Sequence, residues 1–443
     1  MLIEFSVSNF RSFREIQTLR LQAASIKSKN SRIDEQNIFQ AGEKLSLVKS
    51  KVIYGANASG KSNLILAITS FFNIFRQSLQ DVDILQKVFF PFLLDTHAFR
   101  EPTFFQIQFQ LEKRNYRYGF EADAKQVVSE WLFSSDGQGA ESYHFKRNKD
   151  DIEVNKRTFK EGARLLSGKG EMPPLYRDNA LFLPLVAAFN GPLASKIDHY
   201  FRNYYAAYNG ADDRPAIAIA EDAVKNESMR MKMAEVLKRS DTGIEDLGVM
   251  DIPEERLNNV AKEIYQKMAA EGQKPVATVT KRKVKNEQGE DIEVRFLMSE
   301  ESYGTRKMFW LSPFLISILE NGGVLIIDEF GSSLHVRLID SILQLFHSKT
   351  TNPYNAQLIV ATHDTHLLDQ RIFRRDQIAF VEKNQKGQSI LTDLVEFKGV
   401  RNDASLENDY LQGRYGAVPF VNQFDWAFTS ENYEQATEKH QEN

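Results

Sequence analysis

Apolar and polar residues alternate along several short stretches of this chain. Leu2, Ile3, Phe5 and Val7 stand against Glu4 and Ser6 and predict a strand, and Ile16–Leu21 predicts a second. Residues 26–44 are polar and predict a loop. Phe104–Leu111 alternates, a polar turn follows at 112–115, and Tyr116–Phe120 completes a predicted β-hairpin. Val127–Phe133 and Glu141–Phe145 predict two more strands, so 99–154 reads as an antiparallel β-subdomain. From Leu181 to Lys238 the pattern turns helical and irregular, with a break at 209–215. Leu257, Val260, Ile264 and Met268 recur at helical spacing and predict a polar helix over 254–270. Val276–Lys285 and Asp291–Met298 flank a polar segment containing Gly289, which is a hairpin signal.

Other segments are continuously apolar. Val52 and Ile53 mark a buried strand over 48–54, and an apolar helix starts at Asn63 and runs to about Gln80. A helix opening near Glu301 carries Met308, Leu311, Leu315, Ile318 and Leu319, with a kink expected at Pro313 and a stop at Asn321-Gly322-Gly323. Val324–Ile327 is short and unbroken, as a central parallel strand is, and Gln357–Ala361 is a second buried strand. Residues 377–381 and 389–395 predict strands that complete the sheet.

The joint between the strand at 48–54 and the next helix reads Gly55-Ala56-Asn57-Ala58-Ser59-Gly60-Lys61-Ser62. It fits G-x-x-x-x-G-K-S/T, the phosphate-binding P-loop, with no mismatch and in the strand–loop–helix context that the motif needs. Gly55 and Gly60 let the backbone approach a phosphate, and the N–H groups of the loop and helix N-terminus face it. Lys61 supplies a mobile charge for the β- and γ-phosphates, and Ser62 can give its hydroxyl oxygen to Mg²⁺. Asp328 and Glu329 follow the 324–327 strand, where a carboxylate would hold Mg²⁺ and a second would orient or deprotonate a water. His363 ends the 357–361 strand, within reach of a γ-phosphate.

The order P-loop, Ser302-x-Gly304 at a helix start, apolar strand with Asp328-Glu329, and strand with His363 resembles an ABC-type ATPase. That resemblance implies an α/β P-loop NTPase fold of ABC-ATPase type, with an antiparallel β-subdomain and a helical insertion. It also implies ATP and Mg²⁺ as cofactors. Asn9-Phe10-Arg11-Ser12-Phe13 resembles the opening of the SMC and RecF group. Ser302-Tyr303-Gly304-Thr305 departs from the Ser-Gly-Gly-Gln form of transporters. It is closer to the bacterial AAA_15/AAA_21 ATP-binding proteins of the overcoming-lysogenization-defect and abortive-infection (RloA-like) type. Ser129-Glu130-Trp131, Leu367-Leu368-Asp369 and the Tyr410–Gly416 segment also resemble that group.

By this resemblance Gly55, Asn57, Ser59, Gly60, Lys61, Ser62 and Asn63 bind phosphates, and Ser62 and Asp328 hold Mg²⁺. Glu329 is the general base or positions the water, His363 senses the γ-phosphate, and Ser333-Leu334-His335 is the D-loop. Ser302 and Gly304 cap the nucleotide of a partner protomer, and Arg11 touches the nucleotide. Catalysis would then rest on Lys61, Glu329 and His363 in a homodimer or higher oligomer. The expected division is 1–180 and 299–430 for the two parts of the ATPase, 181–298 for a helical insertion ending in a β-hairpin, and 431–443 for a flexible tail.

Length and composition narrow the function. The 443 residues suffice for two or three units, and 42% hydrophobic residues with 32 Phe can build a core. A net charge of −4 does not announce a nucleic-acid binder. Without Cys there is no disulfide or thiolate metal site. Met1–Phe5 lacks the regions of a signal peptide, and no apolar stretch reaches the roughly 20 residues of a membrane span. A cytoplasmic protein without membrane contact is expected. Between Ser62 and Glu301 there is no sustained heptad, which argues against a long-armed SMC protein.

Three functions are compared. The first is the ATPase of an anti-phage system, acting on a separately encoded effector such as a nuclease or toxin. The second is a RecF-like repair ATPase acting directly on nucleic acid, with Lys281-Arg282-Lys283-x-Lys285 as its basic cluster; the competing reading is a charged hairpin edge. The third is a transporter's ATP-binding subunit, disfavoured by the missing Ser-Gly-Gly-Gln. No nuclease activity of the chain's own is expected, because the acids Asp403, Glu407 and Asp409 lie in a polar stretch.

Overall fold

Two sheets enclose the helix that follows the glycine loop. The computed structural model describes residues 1–137, 139–166, 176–208, 212–251, 276–401 and 404–419. The helix expected over 254–270, Asp403 and the tail after 430 lie outside the described residues.

In chain order the first strands are β1 (Leu2–Ser8), β2 (Gln17–Arg20), β3 (Ile38–Gly42), β4 (Leu45–Val48) and β5 (Ser50–Tyr54). The helix Lys61–Gln77 follows, then β6 (Thr103–Leu111), β7 (Arg114–Ala122), β8 (Val127–Ser135), β9 (Ser142–Asn148) and β10 (Asp151–Val154). Helices Phe182–Ala188 and Pro192–Asn203 lead to β11 (Tyr205–Tyr208). Helices Arg214–Ala223 and Glu227–Arg239 precede β12 (Asp246–Asp251), β13 (Val276–Lys285) and β14 (Asp291–Leu297). The helix Tyr303–Asn321 then leads to β15 (Val324–Ile327), the helix Val336–His347, β16 (Gln357–Ala361), β17 (Ile378–Lys383) and β18 (Ser389–Asp393).

The central sheet has the order β11-β15-β16-β5-β17-β18. It is parallel except for β17–β18. β15, β16 and β5 are buried on both faces, so their residues alternate between two cores rather than between core and water. Ile53, Val324, Ile326, Ile359 and Ala361 enter one core. Val52, Tyr54, Leu325, Ile327, Leu358 and Val360 enter the other. The helix Lys61–Gln77 fills the first core with Leu64, Ile68, Phe71 and Phe75, beneath a seven-stranded antiparallel sheet of order β10-β9-β8-β7-β6-β1-β2. This is the α/β P-loop architecture with an antiparallel β-sheet that the sequence predicts. β1 is part of that second sheet, paired with β6 at Phe5 and Ile107.

Two segments differ from the sequence reading. Residues 26–44 contain a helix, Ser31–Asn37, and the strand β3 rather than only loop. Asn30 caps that helix by accepting the N–H of Arg32, a local signal that the polar composition hid. The four residues of β11 form the outer strand of the central sheet although their surroundings read as helical.

Glu130 is buried in β8 and accepts from the N–H groups of Phe182 at 2.6 Å and Leu183 at 3.0 Å and from the Tyr118 hydroxyl at 2.9 Å. It thereby fastens the helix Phe182–Ala188 to the antiparallel sheet. Beneath the other end of the central sheet, His347 is buried against Ser50, with Nε2 and Oγ 2.6 Å apart. Burial, with the charge of Lys49 nearby, lowers its pKa to about 3. The unfolded chain therefore takes up a proton below about pH 6.5 that the folded chain refuses until about pH 3. This group alone should lower stability by roughly 1.4 kcal/mol for each pH unit of acidification across that window. Chemical denaturation from pH 7 to 4 should show a shallower pH dependence in His347→Gln than in the unsubstituted protein.

Candidate active site

The loop of residues 55–60 leaves the carboxyl end of β5, which lies between β16 and β17. Its shape demands residues without a Cβ. At Gly55 a Cβ would fall on Ser59 Oγ and Val381 O; at Gly60, with φ +119°, it would fall on Ser389 Oγ and Ser12 Oγ. Ala58 is also left-handed, with φ 62°. Asn57 and Ser62 are exposed, whereas Ser59 and Lys61 are buried. No side chain caps the helix Lys61–Gln77 at Gly60, so its first N–H groups stay available.

Two features of this cradle ask for an anion. Ser59 Oγ is buried without a hydrogen-bond partner. Lys61 Nζ donates only to carbonyls of its own loop, Gly55 at 2.8 Å and Ala56 at 3.1 Å. Burial brings its pKa down to about 8, against the opposing pull of Asp328 and Glu329. Phosphate oxygens would supply the missing acceptors and the missing charge, so the residues fit a nucleotide's phosphates. Among the described residues no three acidic or imidazole groups cluster as a metal site. Mg²⁺ needs no such cluster where phosphates complete its shell, and the Ser62 hydroxyl with the Asp328 carboxylate suits that arrangement.

Asp328 and Glu329 leave the end of β15, two strands from β5. Asp328 is buried, donates its N–H to Tyr208 O at 2.9 Å, and accepts the Glu329 N–H on Oδ1 at 3.0 Å. Glu329 is exposed and left-handed, with φ 50°, a costly conformation for a residue with a side chain. His363 lies at the end of β16, between those strands. Desolvation and the charge of Lys61 hold its pKa below the ordinary value, while Glu329 and Asp328 act the other way. Lys61, Asp328, Glu329 and His363 thus share one electrostatic neighbourhood at the carboxyl ends of three adjacent strands.

Ser302 caps the helix Tyr303–Asn321, its Oγ accepting from Thr305 N at 3.2 Å. Gly304 packs against the turn after Glu329, where a Cβ would lie 2.9 Å from Ser333 O. Ser302 and Gly304 therefore sit beside the 332–333 turn, whereas the glycine loop sits against Ser12, Val381 and Ser389. Glu301, just before the cap, accepts both Arg282 Nη1 at 2.6 Å and Nη2 at 2.8 Å. Tyr303 donates to Asp213 Oδ2 at 2.7 Å, and Tyr208 donates to Asp213 Oδ1.

Arg11 flanks the loop from the other side. Its guanidinium stands 4.4 Å from the Phe90 ring centroid, and it lines a cavity of about 520 Å³ with Ser12, Asn63, Leu94 and Lys383. Asn63 donates to Ser12 Oγ at 2.8 Å, which ties the loop helix to the Asn9–Phe13 segment.

Three neighbours of the site carry no role in the sequence reading: Asp213, Lys307 and Thr362. Thr362 donates from Oγ1 to Phe330 O at 2.6 Å. Lys307 donates to Ser332 O at 2.9 Å and Oγ at 2.6 Å. Lys307 and Thr362 each adjoin a flagged motif and were within reach of a local reading; Asp213 arrives only through tertiary packing.

No curated protein matches the chain. Among solved structures, an SMC head domain from Thermotoga maritima aligns over 88% of this chain and 98% of its own, at 12% identity and a TM-score of 0.38. The recombination mediator RecF with ATPrS covers 88% and 98%, at 13% identity and 0.28. The bacterial ABC transporter cassette MJ0796 covers 89% and 100%, at 11% identity and 0.27. These likenesses are too low to carry fold or function. The family described as "AAA domain, putative AbiEii toxin, Type IV TA system" matches residues 52–369, from β5 past His363, and to that family this chain belongs.

Proposed function

We propose that the chain binds ATP with Mg²⁺ and hydrolyses it as a nucleotide-driven dimeric switch. The observation that carries this reading is the gathering of Lys61, Asp328, Glu329 and His363 around a loop with unmet anion demand. In this reading the loop N–H groups, Asn57, Ser59, Lys61 and Asn63 orient the phosphates. Ser62 and Asp328 would hold Mg²⁺, which would neutralise charge on the phosphate oxygens. Glu329 takes the proton of the attacking water, His363 donates to the γ-phosphate, and Arg11 flanks the nucleotide. Ser302 and Gly304 present a helix N-terminus to the nucleotide of a second protomer; their position beside the 332–333 turn, rather than the glycine loop, supports this.

The finer reading is the ATPase component of an abortive-infection system that acts on a separately encoded effector. The family's description supports it, as does the resemblance to overcoming-lysogenization-defect proteins. A repair ATPase acting on DNA has less support. Lys281 pairs with Asp246, Arg282 with Glu301 and Lys285 with Asp291, which leaves little uncompensated positive charge on the hairpin. No described helix is long and apolar enough to cross a membrane.

Composite sites are tested by mixing Lys61→Ala with Ser302→Arg protein. Each alone should be inactive. The mixed dimer keeps one site with both halves intact, so ATP turnover should return to roughly a quarter of the unsubstituted level under random exchange. No recovery after demonstrated subunit exchange would refute the two-protomer site.

A further inference from the structure

The turn that carries Glu329 is strained and is held from outside as well as from within. Glu329, Gly331 and Ser333 are all left-handed, with φ of 50°, 94° and 64°. Two of the three bear side chains, which disfavour that conformation. Within the turn, Ser332 N donates to Glu329 O at 3.1 Å. Outside help comes from two sides. β16 holds Phe330, whose N–H donates to Ala361 O at 2.8 Å and whose carbonyl accepts from Thr362 Oγ1. The helix Tyr303–Asn321 holds Ser332 through Lys307, its single buried charge, which donates to both the carbonyl and the hydroxyl of that residue.

We propose that Lys307 is a positioning residue for Glu329: by grasping Ser332 from the helix that Ser302 caps, it sets where the carboxylate of its own protomer stands. This rests on the dimeric ATPase reading above. The charge is suited to the task. Burial lowers the Lys307 pKa, and Asp213 and Glu329 counter that shift, so the ammonium is held among carboxylates that favour it. The aromatic face of Tyr208 lies 5.7 Å from Nζ, and Asp213 fixes Tyr208 and Tyr303 on the far side. In this proposal Lys307 acts through the turn and not on the nucleotide.

Lys307→Met keeps the aliphatic stem and removes the donor. Turnover should fall about 10–100-fold, the usual cost of a misplaced catalytic group. The affinity for a fluorescent ATP analogue should stay within about twofold, since the glycine loop is untouched. Lys307→Arg should recover part of the turnover.

Mixed dimers then locate the defect. Paired with Ser302→Arg, Lys307→Met should regain activity, because one site combines the sound carboxylate half of the first chain with the intact cap of the second. Paired with Lys61→Ala it should not. The reverse pattern would overturn the proposal, by assigning Lys307 to the cap; so would unchanged turnover in Lys307→Met. Should Lys307→Met lose nucleotide affinity, and so its fold, Ser332→Ala decides: a smaller fall in turnover at unchanged affinity supports the proposal, and unchanged turnover overturns it. The pairing of Lys61→Ala with Ser302→Arg is the control. If only that control fails, the dimeric reading falls, and turnover against affinity in the single proteins still judges Lys307.

Discussion

Glu329→Gln is expected to bind ATP as well as the unsubstituted protein and to hydrolyse it on the order of 10²–10⁴-fold more slowly. That range is what a positioned general base contributes. The amide matches the carboxylate in size and can keep the left-handed backbone at this position, but it cannot take a proton from water. Asp328, which would share the metal with Ser62, is unchanged, so nucleotide binding should survive. ATP that enters and is not spent should hold the two protomers together. Phosphate release and size-exclusion chromatography with ATP read the two effects. Full turnover in Glu329→Gln would remove this carboxylate from the chemistry.

Lys61→Ala should lose nucleotide affinity by at least about 10–100-fold, the equivalent of one or two charge-assisted hydrogen bonds. The electrostatics point further. Asp328 and Glu329 both act on Lys61 in the free protein. Once the ammonium is gone, two carboxylates face the incoming phosphates without its compensation. The fold should survive, because the amino group bonds only to carbonyls of its own loop. Titration with a fluorescent nucleotide beside a thermal melt separates the two effects. Unchanged affinity would remove the phosphate-binding role of the loop.

The parts of this site that can be read from sequence are those where local backbone shape and chemistry coincide. Gly55 and Gly60 are needed by the same loop whose N–H groups and lysine would bind phosphate, so the motif is visible as a run of letters. Asp328, Glu329 and His363 could be found because each ends a strand apolar enough to be recognised. β11 could not. Tyr205-Ala206-Ala207-Tyr208 has no β-branched residue and follows directly on a helix, so only the edge of β15 decides its conformation. The helix Ser31–Asn37 failed for a related reason: a short polar element announces itself by its cap, not by a stripe. Asp213 was read as part of a chain break, and its role depends on two tyrosines, one of them 90 positions away. The partners of β1 were equally hidden, because alternation shows that a strand exists without naming its neighbour.

The placement of β5 between β16 and β17 has a consequence for the birth of the protein. Ribosomes deliver the glycine loop about 300 residues before the two strands that pair with β5, which come from beyond residue 356. At about 5–20 residues per second, the interval is on the order of tens of seconds. Through that time β5 has neither edge covered, and for most of it the chain has no Asp328, Glu329 or His363 to set against Lys61. A nascent chain therefore cannot assemble this site before β16 and β17 emerge, and its exposed β5 is a place for a chaperone to attend.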